Sequence, residues 1–257
     1  MQTVLVIPTY NEHANIRPLV QRVLALPIEA DLFFVDDGSP DGTGELLDSL
    51  RAGNSRLRVM HRPGKLGLGT AYRQAFRLLL KEPYQRVLCM DADLSHPPES
   101  IPDLLRLSED ADLVIGSRYA AGGGTVNCSP FRRTLSRVAN GIARGLLGLT
   151  TRDVTAGFRC YRRDLLAALD RLDIRSNGYS FLVEMTYYTQ AMGFQVREVP
   201  ILFEDRIHAK SKMSRSEITK AMKTLLRLGW HRMSGRSAED RRLLALEGLG
   251  PKGSFLT

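Results

Sequence analysis

The chain is poor in cysteine: Cys89, Cys128 and Cys160 are its three thiols, an odd number without CxxC spacing. That argues against a disulfide framework, and a reducing compartment is the simpler expectation. No uninterrupted apolar run approaches the roughly 18 residues that mark a membrane-spanning helix. Met1 leads straight into a strand-like run with no basic leader or apolar h-region, so neither classical secretion nor membrane spanning is expected, while peripheral attachment stays open. Internal repeats and low-complexity tracts are missing as well. His61, His96 and His208 are scattered along the sequence, which disfavours a metal triad or a histidine-based hydrolase.

What is present suits an enzyme. A length of 257 residues with 43% hydrophobic side chains can fill one large α/β domain, or a domain with an appended segment. The net charge of +8 is unevenly spread: residues 206–242 hold eleven Lys or Arg against three acids, which accounts for the whole excess. Such a block fits an anionic membrane surface, a phosphate ligand or nucleic acid, and a solvated end-face helix is the plainer alternative. No aromatic-interleaved RNA motif accompanies it, so no nucleic-acid partner is expected.

Hydrophobic patterning gives a βαβ rhythm through the first half. Strands are expected at 3–7, 32–35, 56–61, 87–90 and 111–115, with helices at 16–26, 42–50, 70–80 and from Pro97 to Leu107. Short strands alternating with helical lengths predict an α/β fold, a mostly parallel central sheet covered on both faces. Beyond Tyr119 the rhythm changes. A Gly-rich loop at 120–130 is followed by a basic helical stretch at 131–147, a turn and short apolar run at 155–162, a helix at 179–192 and a strand at 196–203.

Two acidic clusters close apolar strand-like runs: Asp36 and Asp37 after Leu32-Phe33-Phe34-Val35, and Asp91 and Asp93 after Val87-Leu88-Cys89-Met90. Carboxylates so close together repel one another and lose solvation, so they usually persist where they do chemistry, bind ligand donors or hold a cation. Ligands of open parallel sheets gather beyond the carboxyl ends of the strands, where both clusters fall, with residues 8–12, 64–69 and 116–118. Gly64-Lys65-Leu66-Gly67-Leu68-Gly69 lacks the Gly-Lys-Ser/Thr ending of a P-loop and does not open the first βαβ unit, which disfavours a kinase-like or dinucleotide site. A metal-assisted sugar-nucleotide site is the better reading. Asp36 or Asp37 would accept hydrogen bonds from a base or ribose, and Asp91 with Asp93 would hold a divalent ion bridging a diphosphate.

Pro8-Thr9-Tyr10-Asn11-Glu12, Asp36-Asp37-Gly38-Ser39, Asp91-Ala92-Asp93 and Gly116-Ser117-Arg118-Tyr119 resemble the inverting family 2 glycosyltransferases of GT-A fold. The resemblance is closest to polyprenol- or dolichol-phosphate mannose synthases, through Ser39-Pro40-Asp41-Gly42-Thr43, Asp153-Val154-Thr155-Ala156-Gly157-Phe158-Arg159 and Phe203-Glu204-Asp205-Arg206 with Ser211-Lys212, and it covers residues 3–228. It implies a Rossmann-like nucleotide-sugar domain, GDP-mannose as donor, a polyprenyl (dolichyl-type) monophosphate as acceptor, and Mg²⁺ or Mn²⁺ as cofactor. By the same resemblance Pro8, Tyr10, Glu12 and Asp37 belong to the nucleotide pocket, with Asp36 and Lys65 beside them, and Asp91 and Asp93 to the diphosphate and metal. Arg118, Arg133, Ser136 and Arg206 match residues that hold the acceptor phosphate or the donor diphosphate, and Lys212 lies in the basic motif closing that region. Three positions depart from the pattern: Ser129 stands where relatives often carry Trp, Ala209 where glycine is usual, and Ser95 at the third metal position. A phosphate acceptor is already anionic, so no strong protein base is expected. Glu184 is either a secondary-site group or a solvent-facing helix residue. A polyprenyl-phosphate glucosyltransferase, or another family 2 enzyme using a UDP-sugar, is the alternative reading.

The expected organisation is a catalytic domain over 1–213, a basic amphipathic helical segment over 214–242 and a flexible tail over 243–257. Ser214 and Glu217 have capping-box spacing. Ile218, Met222, Leu225 and Leu226 would form one apolar stripe, with Lys220, Lys223 and Arg227 reaching anionic headgroups on the cytoplasmic face of a membrane. A membrane-protein partner stays open.

Overall fold

Each residue of Val4-Leu5-Val6-Ile7 is fully buried, and alternate side chains enter opposite cores: Val4 and Val6 one, Leu5 and Ile7 the other. A strand covered on both faces produces that division, because successive side chains point to opposite sides. The computed structural model describes residues 2–205 and 215–251. Its first half runs β1 (Thr3–Thr9), α1 (His13–Leu24), β2 (Ala30–Asp36), α2 (Thr43–Ala52), β3 (Leu57–His61), α3 (Leu68–Leu79), β4 (Arg86–Cys89), α4 (Ile101–Leu107) and β5 (Leu113–Ser117). The second half continues with β6 (Gly124–Val126), α5 (Pro130–Leu147), β7 (Arg159–Arg162), α6 (Arg163–Asp170), α7 (Tyr179–Ala191), β8 (Val196–Pro200), β9 (Leu202–Glu204), α8 (Arg215–Met233) and α9 (Arg236–Leu246).

The main sheet has the order β3-β2-β1-β4-β7-β5-β8, parallel except for β7, which runs antiparallel between β4 and β5. Helices α1, α2 and α4 contribute to the core on one face, and α3 with α5 to α9 to the core on the other. The stretch read as one strand over 196–203 is two. β8 pairs with β5, while β9 crosses to a separate parallel pair with β6, inside what the sequence suggested was only a Gly-rich loop. Pro200, which ends β8, is the one sign in the sequence of the change of sheet.

The carboxyl-terminal segment differs from the expected stripe. Met222, Leu226, Trp230 and Met233 are exposed on α8, but Leu225 packs on the core and Leu228 is fully buried. Arg227, expected to reach headgroups, instead pairs with the fully buried Glu184 of α7. Ser214 lies outside the described residues, as do the side chains of Glu217 and Ile218. Helix α9 crosses the boundary drawn at 242, and Leu244 beyond it is buried. Among the described residues no helix is long and apolar enough to cross a membrane.

Candidate active site

The ends of β1 and β2 are cross-braced before any ligand arrives. Register places Thr9 beside Asp36. Asp36 accepts from Thr9 Oγ1 at 3.0 Å and from Ser39 N and Oγ at 3.1 and 2.5 Å. Ser39 Oγ accepts in turn from Asn11 N at 3.0 Å, and Thr43 Oγ1 from Glu12 N at 3.0 Å, while Asp41 accepts from His13 N and Thr43. The Ser39–Thr43 motif thus stitches the turn after β2 to the turn after β1, which carries Tyr10 and Glu12, with Pro8 in the last residues of β1. Glu12 also accepts from Asn15 Nδ2 at 2.7 Å.

Asp37 turns the other way. Its Oδ1 meets Arg62 NH1 at 2.5 Å in an ion pair whose side chains are 8% and 2% exposed, and its Oδ2 accepts from Leu66 N and Gly67 N at 3.1 and 3.2 Å. Asp37 therefore shapes the 64–69 loop, and Lys65 from that loop lies over the Tyr10 ring at 4.2 Å. The sequence does not single out Arg62; a lone arginine after a strand carries no signal of its partner.

At the end of β4, Ser95 N donates to Asp93 Oδ1 at 3.0 Å, and Asp91 N to His96 Nδ1 at 3.3 Å. Leu94 between them sits at φ 63°, a left-handed conformation that a leucine adopts only where its surroundings hold it. Among the described residues no cluster of three His, Cys, Asp or Glu forms a metal centre. Two carboxylates on one tight turn, with the buried Ser95 beside them, are a fit for a hard cation that takes its other oxygens from a diphosphate and water. Beneath this turn, burial raises the Tyr72 phenol and the Cys89 thiol well above their ordinary pKa values, so both are neutral. All three cysteines are free.

Arg118, just past β5, is gripped by Asp153: its Nε and NH2 donate to the two carboxylate oxygens at 2.7 Å each, and NH2 also reaches Thr155 Oγ1 at 2.9 Å. Burial opposes this charge, but Asp153 outweighs it and holds the guanidinium above its usual pKa. The Phe203 ring lies 5.4 Å from the Arg118 guanidinium and, edge-to-face, 5.4 Å from the His96 ring. Glu204 N donates to Ser95 O at 3.1 Å, binding β9 to the Asp91–His96 turn. On α5, Ser136 Oγ accepts from Tyr119 OH at 2.7 Å, Arg132 pairs with Asp205 at 2.5 Å, and Arg133 Nε is buried without a hydrogen-bond partner among the described residues. Arg206 and Lys212 lie outside the described residues.

Glu184 is neither solvent-facing nor part of this surface; it is fully buried, accepting from Ser176 N at 2.8 Å and pairing with Arg227. Its backbone partners lie in a turn that no motif in the sequence marks.

Residues 4–170 match glycosyl transferase family 2. The chain is a family 2 glycosyltransferase. The enzyme is 46% identical to a polyprenol monophosphomannose synthase of Mycolicibacterium smegmatis, over 86% of this chain and 84% of that protein. It is 42% identical to an undecaprenyl-phosphate mannosyltransferase of Micrococcus luteus, over 89% of this chain and 94% of that protein. Among solved structures it resembles glucosyl-3-phosphoglycerate synthase from Mycobacterium tuberculosis in complex with Mn²⁺, uridine diphosphate and glucosyl-3-phosphoglycerate. That likeness has a TM-score of 0.63 at 20% identity and covers 88% of this chain and 79% of that one, which establishes a GT-A-like fold for the glycosyltransferase.

Proposed function

We propose that this glycosyltransferase transfers mannose from GDP-mannose to a polyprenyl monophosphate, giving a β-mannosyl phospholipid and GDP. The observation that carries the reading is that the turn bearing Asp91 and Asp93 and the Arg118 guanidinium share a neighbour: the Phe203 ring packs on His96 of that turn and lies under Arg118. A carboxylate pair suits a cation-bound diphosphate, and a guanidinium cluster suits an anionic nucleophile. The sequence kinship to mannosyl transferases of polyprenyl phosphates supports the same substrates.

In this mechanism an acceptor phosphate oxygen forms the new bond to the mannose anomeric carbon while the bond to the GDP oxygen breaks from the opposite side, so the configuration inverts. The nucleophile arrives deprotonated and needs no base. Asp91 and Asp93 would hold Mg²⁺ or Mn²⁺, which supplies Lewis-acid stabilisation of the departing diphosphate. The arginines divide their work. Arg118 spends its fork on Asp153 and orders the 153–155 turn, whereas Arg133, with a buried Nε that has no partner among the described residues, is the group a phosphate would satisfy. Arg206 and Lys212 complete the phosphate side by resemblance.

Product mass spectrometry with labelled GDP-mannose and matched phosphorylated and dephosphorylated isoprenoids tests the reading. Mannosylation of the phosphate alone is expected, with Arg133→Met raising the acceptor KM about tenfold or more while GDP affinity is unchanged. Equal reaction of the free alcohol would remove the anionic nucleophile; reaction with a UDP-sugar alone would remove mannose specificity.

The acceptor's long apolar tail calls for attachment to a bilayer, and α5 with α8 offers the surface. Phe131, Leu135, Val138, Ile142 and Leu146 are exposed at one-face helical spacing on α5, beside the exposed Met222, Leu226, Trp230 and Met233 of α8, which packs against it. Exposed Arg137, Arg144, Lys220, Lys223 and Arg232 flank these residues and complement anionic lipid on a cytoplasmic membrane face. Sedimentation with anionic vesicles is expected to fall about tenfold or more in Leu226→Glu/Trp230→Glu. Equal binding of the intact chain to neutral and anionic vesicles, unaltered by the double substitution, would remove the basic apolar face as the contact.

A further inference from the structure

Helix α8 reaches the donor side of the site through an unbroken series of polar contacts. Arg227 pairs with the buried Glu184, and Thr224 Oγ1 lies 3.1 Å from Ser176 Oγ. Glu184 Oε2 accepts from Ser176 N at 2.8 Å, fixing the turn before α7. Asn177, the next residue of that turn, accepts from Gly69 N and Gly178 N at 2.8 Å each through Oδ1, and donates from Nδ2 to Leu66 O at 3.2 Å. The far side of the 64–69 loop is held by Asp37, which accepts from Leu66 N and Gly67 N.

The glycines of that loop, ambiguous in the sequence, have a physical reason here. A Cβ on Gly67 would stand 2.4 Å from Asn177 Nδ2, and Gly67 sits at φ 95°, where side-chain-bearing residues are strained. A Cβ on Gly69 would stand 2.9 Å from Ser176 O. The loop is thus shaped to receive the Asn177 carboxamide and the turn that carries it. A phosphate-binding glycine pattern would leave its amides free for ligand; here those of Leu66, Gly67 and Gly69 are taken up by Asp37 and Asn177.

We propose that Asn177 is a positioning residue for the donor pocket: it sets the 64–69 loop that presents Lys65 to Tyr10, and α8 holds Asn177 in place through Arg227 and Glu184. The proposal rests on the reading of that loop as part of the nucleotide-sugar site. Donor affinity then depends on how α8 is seated. Fixing the loop in the unliganded enzyme removes an ordering cost from binding.

The test measures amide exchange in the full chain without ligand, and then steady-state kinetics. In Asn177→Ala, exchange at 66–69 is expected to accelerate about tenfold or more while β1 and β2 keep their protection. The KM for GDP-mannose rises about tenfold, with kcat and the acceptor KM within about twofold of wild type. Arg227→Met gives the same pattern more weakly, and Arg227→Lys restores part of it. Unchanged exchange at 66–69, acceleration spread equally over the strands, or a loosened loop with an unchanged donor KM would each overturn the assignment. Exchange needs no substrate, so it decides the Asn177 contact even if GDP-mannose proves not to be the donor; in that case the kinetic arm uses whichever nucleotide sugar the wild type accepts.

Discussion

Asp91→Asn and Asp93→Asn are each expected to lower kcat for mannosyl transfer by about a hundred- to a thousandfold, the range seen when a group stabilising transition-state charge is removed. The substitution keeps size and an acceptor oxygen, so a carboxamide at position 93 would still receive Ser95 N, now 3.0 Å from Asp93 Oδ1, and the turn would stay formed. What is lost is negative charge, which in the proposed mechanism would hold the cation beside the diphosphate. The thermal midpoint without metal is expected to stay level or rise, since two neighbouring carboxylates repel. That sign separates a chemical defect from a folding one. Turnover within about threefold of wild type in both variants, at matched free metal, would remove the pair from the chemistry.

The second large effect is on stability. Asp37→Ala strands Arg62, whose side chain is 2% exposed, without a carboxylate, and frees the amides of Leu66 and Gly67. Removing one partner of a buried ion pair costs about 3–5 kcal/mol, because the remaining charge cannot be rehydrated. Urea titration of Asp37→Ala is expected to show a loss of that size, with Asp37→Asn intermediate because the amide oxygen still accepts. Adding Arg62→Met to Asp37→Ala should recover part of the loss, since the stranded charge is then gone. A loss below about 1 kcal/mol, or no recovery in the double variant, would show that this pair is not what holds the loop.

Much of the fold was legible in the sequence. The runs around Val4, Phe33 and Leu88 are apolar, and their shortness and flanking turn residues decide for a strand buried on both faces over a buried helix. Strand direction was not legible: β7 opens and closes with arginines, and its two-residue periodicity is the same whether it runs up or down. Where the chain enters β7, the buried Arg159 donates to Val154 O and Ala156 O at 2.9 and 2.7 Å and braces the turn before the strand. Fully buried arginines are rare, and nothing in the residue pattern marks one in advance.

By itself the sequence determined the α/β class, the carboxylate turn at the end of β4 and the family, because these depend on residue type, local order and spacing. Only the tertiary structure decided which charges are already spent. Asp36 is taken up by Thr9 and Ser39, Asp37 by Arg62, Arg118 by Asp153 and Arg227 by Glu184, while Arg133 keeps a buried Nε without a partner among the described residues. A side chain's charge is written in its identity, but its availability depends on what stands within about 3 Å of it, and those neighbours are mostly supplied by segments remote along the chain.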